Sequence, residues 1–310
     1  MTDHTVRVLL GVAALLLAGM PFMPQWLMFL ITLALARGLV VLGLVLLMRT
    51  GLVSFGQGLY FGLGAYAAAL LAHRAGLADA ALMIVAGTAV AAAVAAILGL
   101  LLARYREIFF AMLSLAFSMI LYGLLVKSST LGSTDGFNLH AKSFAGVALA
   151  AGSERRAFYA VSVLLVFCIA WLLHRYLASH WGRLSAAIRD NELRVEYLGA
   201  SVYRVVYLNY VAAGALAGMG GAFAALAVGH VDPETAYWTT SGEFVFIAIL
   251  GGTGNVLAPF LSAAIFEGLR AVASQYAPNL WQMALGMAML AIIMFLPGGL
   301  WTLVRRRDTA

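Results

Sequence analysis

Residues 26–48 read WLMFLITLALARGLVVLGLVLLM, an apolar run interrupted by one charge, Arg37. Its length is near the ~20 residues that a helix needs to cross the hydrocarbon of a bilayer. Similar runs recur at Val8–Phe22, Leu52–Ala72, Ala80–Ala103, Ile108–Val126, Phe158–Leu177, Val205–Val228 and Leu280–Leu300. The chain is 64% hydrophobic and 10% charged over 310 residues, whereas soluble domains carry about a quarter charged residues. No soluble core hides that much apolar surface, so lipid must cover part of it. The sequence predicts an all-α fold, a polytopic transmembrane helical bundle forming one membrane-spanning domain over residues 1–310.

The arginines set the orientation. Cytoplasmic loops concentrate Lys and Arg, which puts Arg49, the pair Arg104 and Arg106, the stretch with Arg175, Arg183, Arg189, Arg194 and Arg204, and the cluster Arg305 to Arg307 on one side. The 73–79 turn and the polar 127–156 stretch, a periplasmic loop, then fall on the other. Arg7 followed by Val8–Met20 has the look of a signal peptide. With no small-residue cleavage site after it, it reads as an uncleaved first helix. Parity between the outer His230 and the inner Arg305 requires an odd number of crossings. Glu243–Ala273 is therefore expected to split at Gly251-Gly252-Thr253-Gly254-Asn255 into a short buried crossing, Glu243–Leu250, and a full one, Val256–Ala273. The total is about ten crossings, one of them a short broken helix, with both termini cytoplasmic. A helix broken by glycines at that depth needs protein or a water-filled cavity around its backbone.

Several function classes drop out. The two lysines, Lys127 and Lys142, do not follow a glycine, so no Walker A loop exists and no HExxH is present. The chain is not expected to be an enzyme or to hold a cofactor or metal, and any ATP used must be bound elsewhere. The net charge of +6 comes from loop arginines; with no basic patch on a soluble face, nucleic acid is not an expected partner, whereas membrane lipid is. Cys168, alone in an apolar run, reads as a small buried hydrophobe. A secondary transporter would show two matching broken helices, and only one is visible. An intramembrane enzyme would need a catalytic constellation at depth, and none is visible.

Polar groups at membrane depth are the candidates for a translocation path: Arg37, Ser54, Gln57, Ser114, Ser118, Asn209 and Glu243. Arg37 has two readings. Its planar fork suits a solute carboxylate, or it pairs with Glu243 or Glu267. Each smaller group alone also reads as a hydrogen bond between helices. The Gly58/Gly62 and Gly214/Gly218 faces, with Gly220 and Gly221, allow close helix approach within the chain. Thr134-Asp135-Gly136 reads as a turn.

The stretch 174–204 is too long for a simple turn. Trp181, Leu184, Ile188, Val195 and Leu198 recur at helical spacing among Arg183, Arg189, Asp190, Glu192, Arg194 and Glu196. One short amphipathic cytoplasmic helix is expected there. Its mixed charges suit a protein partner better than a lipid surface.

Five blocks now carry a family resemblance. Thr50-Gly51-Leu52-Val53-Ser54-Phe55-Gly56-Gln57 with Phe61-Gly62-Leu63-Gly64-Ala65-Tyr66 resembles the GxxSxGxxxFxGxGAY stretch of LivM-type permeases of branched-chain amino acid ABC importers. Tyr105 to Phe117, followed by Gly132-Ser133-Thr134-Asp135-Gly136, is similar to the next block. Gly182-Arg183, Ala187-Ile188-Arg189-Asp190-Asn191-Glu192 and Leu198-Gly199 resemble the family's cytoplasmic loop. Leu250 to Gly254 and Pro297 to Leu300 resemble its endings. Met48-Arg49 departs from the family's Gly-Tyr. The resemblance implies an ABC importer permease paired with a LivH-like second permease, two cytoplasmic ATPases that hold ATP and Mg, and a periplasmic solute-binding protein. Gly182 to Gly199 would be its ATPase-coupling segment, moving solute by alternating access. The implied solutes are branched-chain or related amino acids, with urea, short amides or aromatic acids as the alternative within the same family.

Overall fold

A computed structural model describes residues 2–77, 79–139, 141, 143–144, 147–148 and 154–276, with isolated positions between 283 and 299. The expected last span, Leu280–Leu300, and the Arg305 to Arg307 cluster lie outside the described residues, as do His140 and Lys142, apart from those isolated positions.

The chain runs α1 (Thr2–Gly19), α2 (Gln25–Met48), α3 (Gln57–Ala75), α4 (Ala80–Leu102), α5 (Glu107–Lys127), α6 (Glu154–Ala178), α7 (His180–Asp190), α8 (Glu192–Tyr197), α9 (Val202–Val228), α10 (Trp238–Gly251) and α11 (Ala258–Tyr276). Among the described residues there are four two-residue strands, β1 (Phe137–Asn138), β2 (Ser143–Phe144), β3 (Val147–Ala148) and β4 (His230–Val231). The fold is all-α and polytopic. Among the described residues six helices are long and apolar enough to cross a membrane: those within Thr5–Phe22, Gln25–Met48, Ala80–Leu102, Glu107–Lys127, Arg155–Ala178 and Val202–Val228.

Burial sorts these helices. The apolar window of α2 is 83% buried, whereas that of α1 is 11% buried. So α2 is a central pillar and α1 a peripheral one. α9 packs on α2, α3 and α4, and α11 lies along α2. Leu15, Val85, Ile97, Phe109 and Leu164 stand exposed on the outer helices, an apolar skin suited to lipid or to another membrane helix. Cys168 belongs to that skin: it is exposed on α6, which corrects the expectation of a buried hydrophobe.

Small residues set the closest contacts. Gly64 rests directly on the backbone of Gly218, where any side chain would collide with the Gly218 carbonyl. Gly214 and Gly218 also receive Ala95 and Ala91 of α4. The small-residue faces therefore serve contacts within the chain.

Three boundaries differ from expectation. Leu52–Gly56 is not helical, and the third span starts at Gln57. The short helix α10 spans Trp238–Gly251 rather than Glu243–Leu250. It ends where expected, at Gly252, whose φ of 77° is a left-handed conformation that glycine adopts without strain. The single amphipathic helix expected in 174–204 is two, α7 and α8, separated by Asn191. Its extended backbone (φ −164°) breaks the helix while its side chain accepts the Arg194 N–H and caps α8.

The connecting segments gather at two opposite ends. At one end β1 pairs with β4, Asp79 bridges Ser143, and Arg74 donates to the Thr130 carbonyl. At the other, Arg49 donates to the Thr253 carbonyl, Arg106 pairs with Glu192, and Arg189 lies beside Gly51.

Candidate functional site

Midway along α2, Arg37 meets two acids. Its Nη1 donates to Glu243 Oε2 of α10 at 2.9 Å, and its Nε lies 2.7 Å from Glu267 Oε1 of α11. The second contact is out of line for a hydrogen bond and is held by charge. Arg270 Nη1 approaches the same Glu243 oxygen at 3.4 Å, and the Phe266 ring lies 5.8 Å from the Arg37 guanidinium carbon. Two arginines and two glutamates make the cluster formally neutral, the arrangement that lets charge persist at membrane depth. The pairing reading of Arg37 is thus the one present, with both acids rather than one. Arg270 was missed by the sequence reading, although its place one turn beyond Glu267 was the available signal.

A second polar cluster surrounds the start of α3. Ser114 Oγ of α5 accepts the Phe55 N–H at 3.1 Å and donates to the Ala111 carbonyl. Ser118 Oγ donates to the carbonyl of Ala236, in the 3-10 turn ahead of α10, at 2.8 Å. Ser54 Oγ accepts the Gly56 N–H, and Ser241 Oγ accepts the Gly58 N–H at 2.9 Å. Ser54, Ser118 and Ser241 have no exposed surface, and Ser114 almost none. Gln57, also fully buried, has no hydrogen-bond partner for either Oε1 or Nε2. Ser241 went unseen in the sequence because the expected helix began two residues after it. The structure therefore brings Ser54, Gln57, Ser114 and Ser118 together, and places Arg37 with Glu243 in a separate cluster.

Asn209 belongs to neither. On α9 it accepts the Tyr176 hydroxyl at 2.7 Å and donates to Ser185 Oγ of α7 at 2.9 Å. Asn209 and Ser185 are fully buried, and their bond ties α7 to the bundle. Gly182 packs so tightly on Leu177 that no side chain fits. Ile188 and Val195 are buried, and Leu184 and Ala187 half-buried, on the inner face. Trp181 and Leu198, expected to join them, are exposed instead, Leu198 at 81%. Beyond the helix break at Asn191, Val195 stays on the inner face and Leu198, past the end of α8, turns outward. The outer face carries Arg183, Arg189, Asp190, Asn191, Arg194, Leu198 and Gly199, with Leu193 and Tyr197 exposed between the charges. Glu192 in the first turn of α8 pairs with Arg106 at 2.6 Å, where a carboxylate also suits the helix dipole. Arg49, at the end of α2, holds the Gly252–Asn255 turn through two bonds to the Thr253 carbonyl, 3.2 and 3.0 Å. Burial pulls its pKa below the ordinary arginine value, and it stays charged at neutral pH.

A half-open cavity of about 560 Å³ lies between α2, α6 and α9 near the end opposite α7 and α8, lined by Trp26, Phe29, Arg155 and Phe158 among others. It includes none of the candidate residues. No group of three or more metal-ligating side chains gathers among the described residues.

Two curated relatives, each named high-affinity branched-chain amino acid transport system permease protein LivM, come from Escherichia coli (strain K12) and Salmonella typhimurium (strain LT2). Each is 29% identical over 292 residues, covering 86% of this chain and 68% of the relative. No solved structure matches. Residues 26–296 match the family described as branched-chain amino acid transport system, permease component, a span that takes in α2 to α11 with both polar clusters and the α7–α8 segment, and the chain is a member of that family.

Proposed function

We propose that this chain is the membrane permease subunit of an ATP-driven importer in the cell inner membrane, moving a branched-chain or related amino acid by alternating access. It crosses the membrane about ten times with both termini cytoplasmic. It pairs with a LivH-like permease, receives solute from a periplasmic binding protein, and is driven by two cytoplasmic ATPases that hold ATP and Mg.

One observation carries this reading: the α7–α8 segment is rigidly hung yet openly presented. Gly182, Ser185, Ile188 and Val195 fix it from beneath, while Arg183, Arg189, Arg194, Leu193 and Tyr197 are exposed. Burying Ile188 and Val195 contributes roughly 1.5–3 kcal/mol each, which exceeds the ~0.2–1 kcal/mol of a half-exposed ion pair such as Arg106–Glu192. A push on the outer face is thereby transmitted to α6 and α9 as a unit instead of being absorbed by a soft loop. The translocation path is assigned to the polar cluster at the start of α3, with the Arg37 cluster as its structural neighbour.

The test is the assembled importer in proteoliposomes with its binding protein. Arg183→Glu with Arg189→Glu should abolish ATP-driven uptake of leucine and weaken ATPase co-purification, while the chain still inserts. Undiminished uptake by that variant would remove the coupling role. Competition by urea, short amides or aromatic acids, with no competition by leucine, would move the solute to the other members of the family's range.

A further inference from the structure

At the start of α3, every polar side chain but one already has its hydrogen bonds. Ser54, Ser114, Ser118 and Ser241 each bond a backbone group. Gln57 has no exposed surface and its amide bonds nothing. An amide left without donor or acceptor partners in a buried site is costly, and such a group calls for a ligand. Gln57 is the first residue of α3, so its amide lies within its own side-chain reach of that helix end. The start of α10 lies against the same place, since Ser241, in its first turn, takes the Gly58 N–H. Neither N-cap residue, Gly56 or Tyr237, supplies a side-chain cap. Two helix N-termini side by side give a positive field that favours an anionic group.

We propose that the Gln57 amide and the adjoining start of α3 bind the ammonium–carboxylate head of the transported amino acid, an assignment that rests on the importer reading. A neutral amide offers both donors and an acceptor, so Nε2 serves the carboxylate and Oε1 the ammonium. The helix ends favour the carboxylate without adding a net charge to the site. A solute with net positive charge would need a carboxylate here. The acids at depth, Glu243 and Glu267, face Arg37 instead. Because Gln57 is sealed in this structure, solute reaches it only when α3, α5 or α10 part.

The experiment compares leucine uptake with binding-protein-stimulated ATP hydrolysis in the same proteoliposomes, using the complete importer. Gln57→Leu should lower leucine transported per ATP at least about tenfold, the effect of losing hydrogen bonds to a charged group. Gln57→Asn, which keeps a shorter amide, should fall between. If Gln57→Leu does not assemble, Gln57→Glu, equal in size, carries the test, since its carboxylate repels that of the solute. An unchanged ratio, or uptake and hydrolysis falling in step, overturns the site while wild-type leucine uptake leaves the importer reading standing. A wild-type complex that hydrolyses ATP with its binding protein and takes up no amino acid overturns both.

Discussion

At the residue scale, Arg37 shows how depth constrains charge. Arg37→Leu would leave Glu243 and Glu267 facing each other with only Arg270 near. Breaking a buried pair by removing one partner costs about 3–5 kcal/mol, whereas replacing both with apolar groups is often neutral. Arg37→Leu should therefore lower the melting temperature of the detergent-solubilised protein sharply, and Arg37→Leu with Glu267→Leu should recover most of the loss by leaving Glu243 to Arg270. A double variant no more stable than the single one would mean that the cluster is not held by charge balance. This site was legible because a lone arginine in an apolar run demands partners, and the same chain offers few acids. Gln57 was legible only as a candidate: sequence shows a polar group at depth, but only the folded chain engages the four neighbouring serines and leaves it without a partner.

At the element scale, the α7–α8 segment was visible as a polar stretch between apolar spans, and its residues were nearly all named in advance. Its break was not, although Asn191 favours a cap over a helix interior, because the apolar spacing on either side continues through it. The apolar spacing that ran through the break misassigned Leu198, and Trp181, in the first turn of α7, is exposed as well. The Tyr176–Asn209–Ser185 chain explains why the segment holds its angle. Asn209→Leu removes the acceptor of the half-buried Tyr176 hydroxyl and the donor to the buried Ser185 hydroxyl. It should cost roughly 1–3 kcal/mol locally and uncouple hydrolysis from uptake without unfolding the bundle. Hydrogen exchange across 180–197, faster in the variant than in wild type, is the direct readout; unchanged exchange would assign the positioning of α7 elsewhere. The Arg106–Glu192 pair offers an independent check. Arg106→Glu should impair uptake and Arg106→Glu with Glu192→Arg should restore it, with little change in melting temperature, because both side chains are partly exposed. Failure of the swap to rescue would shift the role of Arg106 from Glu192 to the Ala103 and Tyr105 carbonyls that it also bonds.

At the scale of the whole molecule, the two ends of the bundle give the topology its test. Sequence parity demanded an extra crossing between His230 and the C-terminal arginines, and α10 with the Gly252 break supplies a helix in that interval. Its length was underestimated because residues 238–242 read WTTSG, a mostly polar run, and pack on α3 through Ser241 instead of through a hydrophobic stripe. In space, Thr253 joins Arg49 at the α7–α8 end, while Thr130 joins Arg74 at the other. Cys168 is the chain's one cysteine and faces outward among apolar side chains, so Cys168→Ser gives a background in which single cysteines report one position each. In intact cells, Arg74→Cys and Thr134→Cys should react with a membrane-impermeant maleimide. Arg189→Cys and Thr253→Cys should react only after the membrane is opened. The Thr253 position is decisive. If α10 did not complete a crossing, residue 253 would stay on the side of His230 and label in intact cells alongside Thr134→Cys. The Arg49 clamp on its carbonyl would then have to bridge the bilayer, which a bond of 3.0 Å forbids.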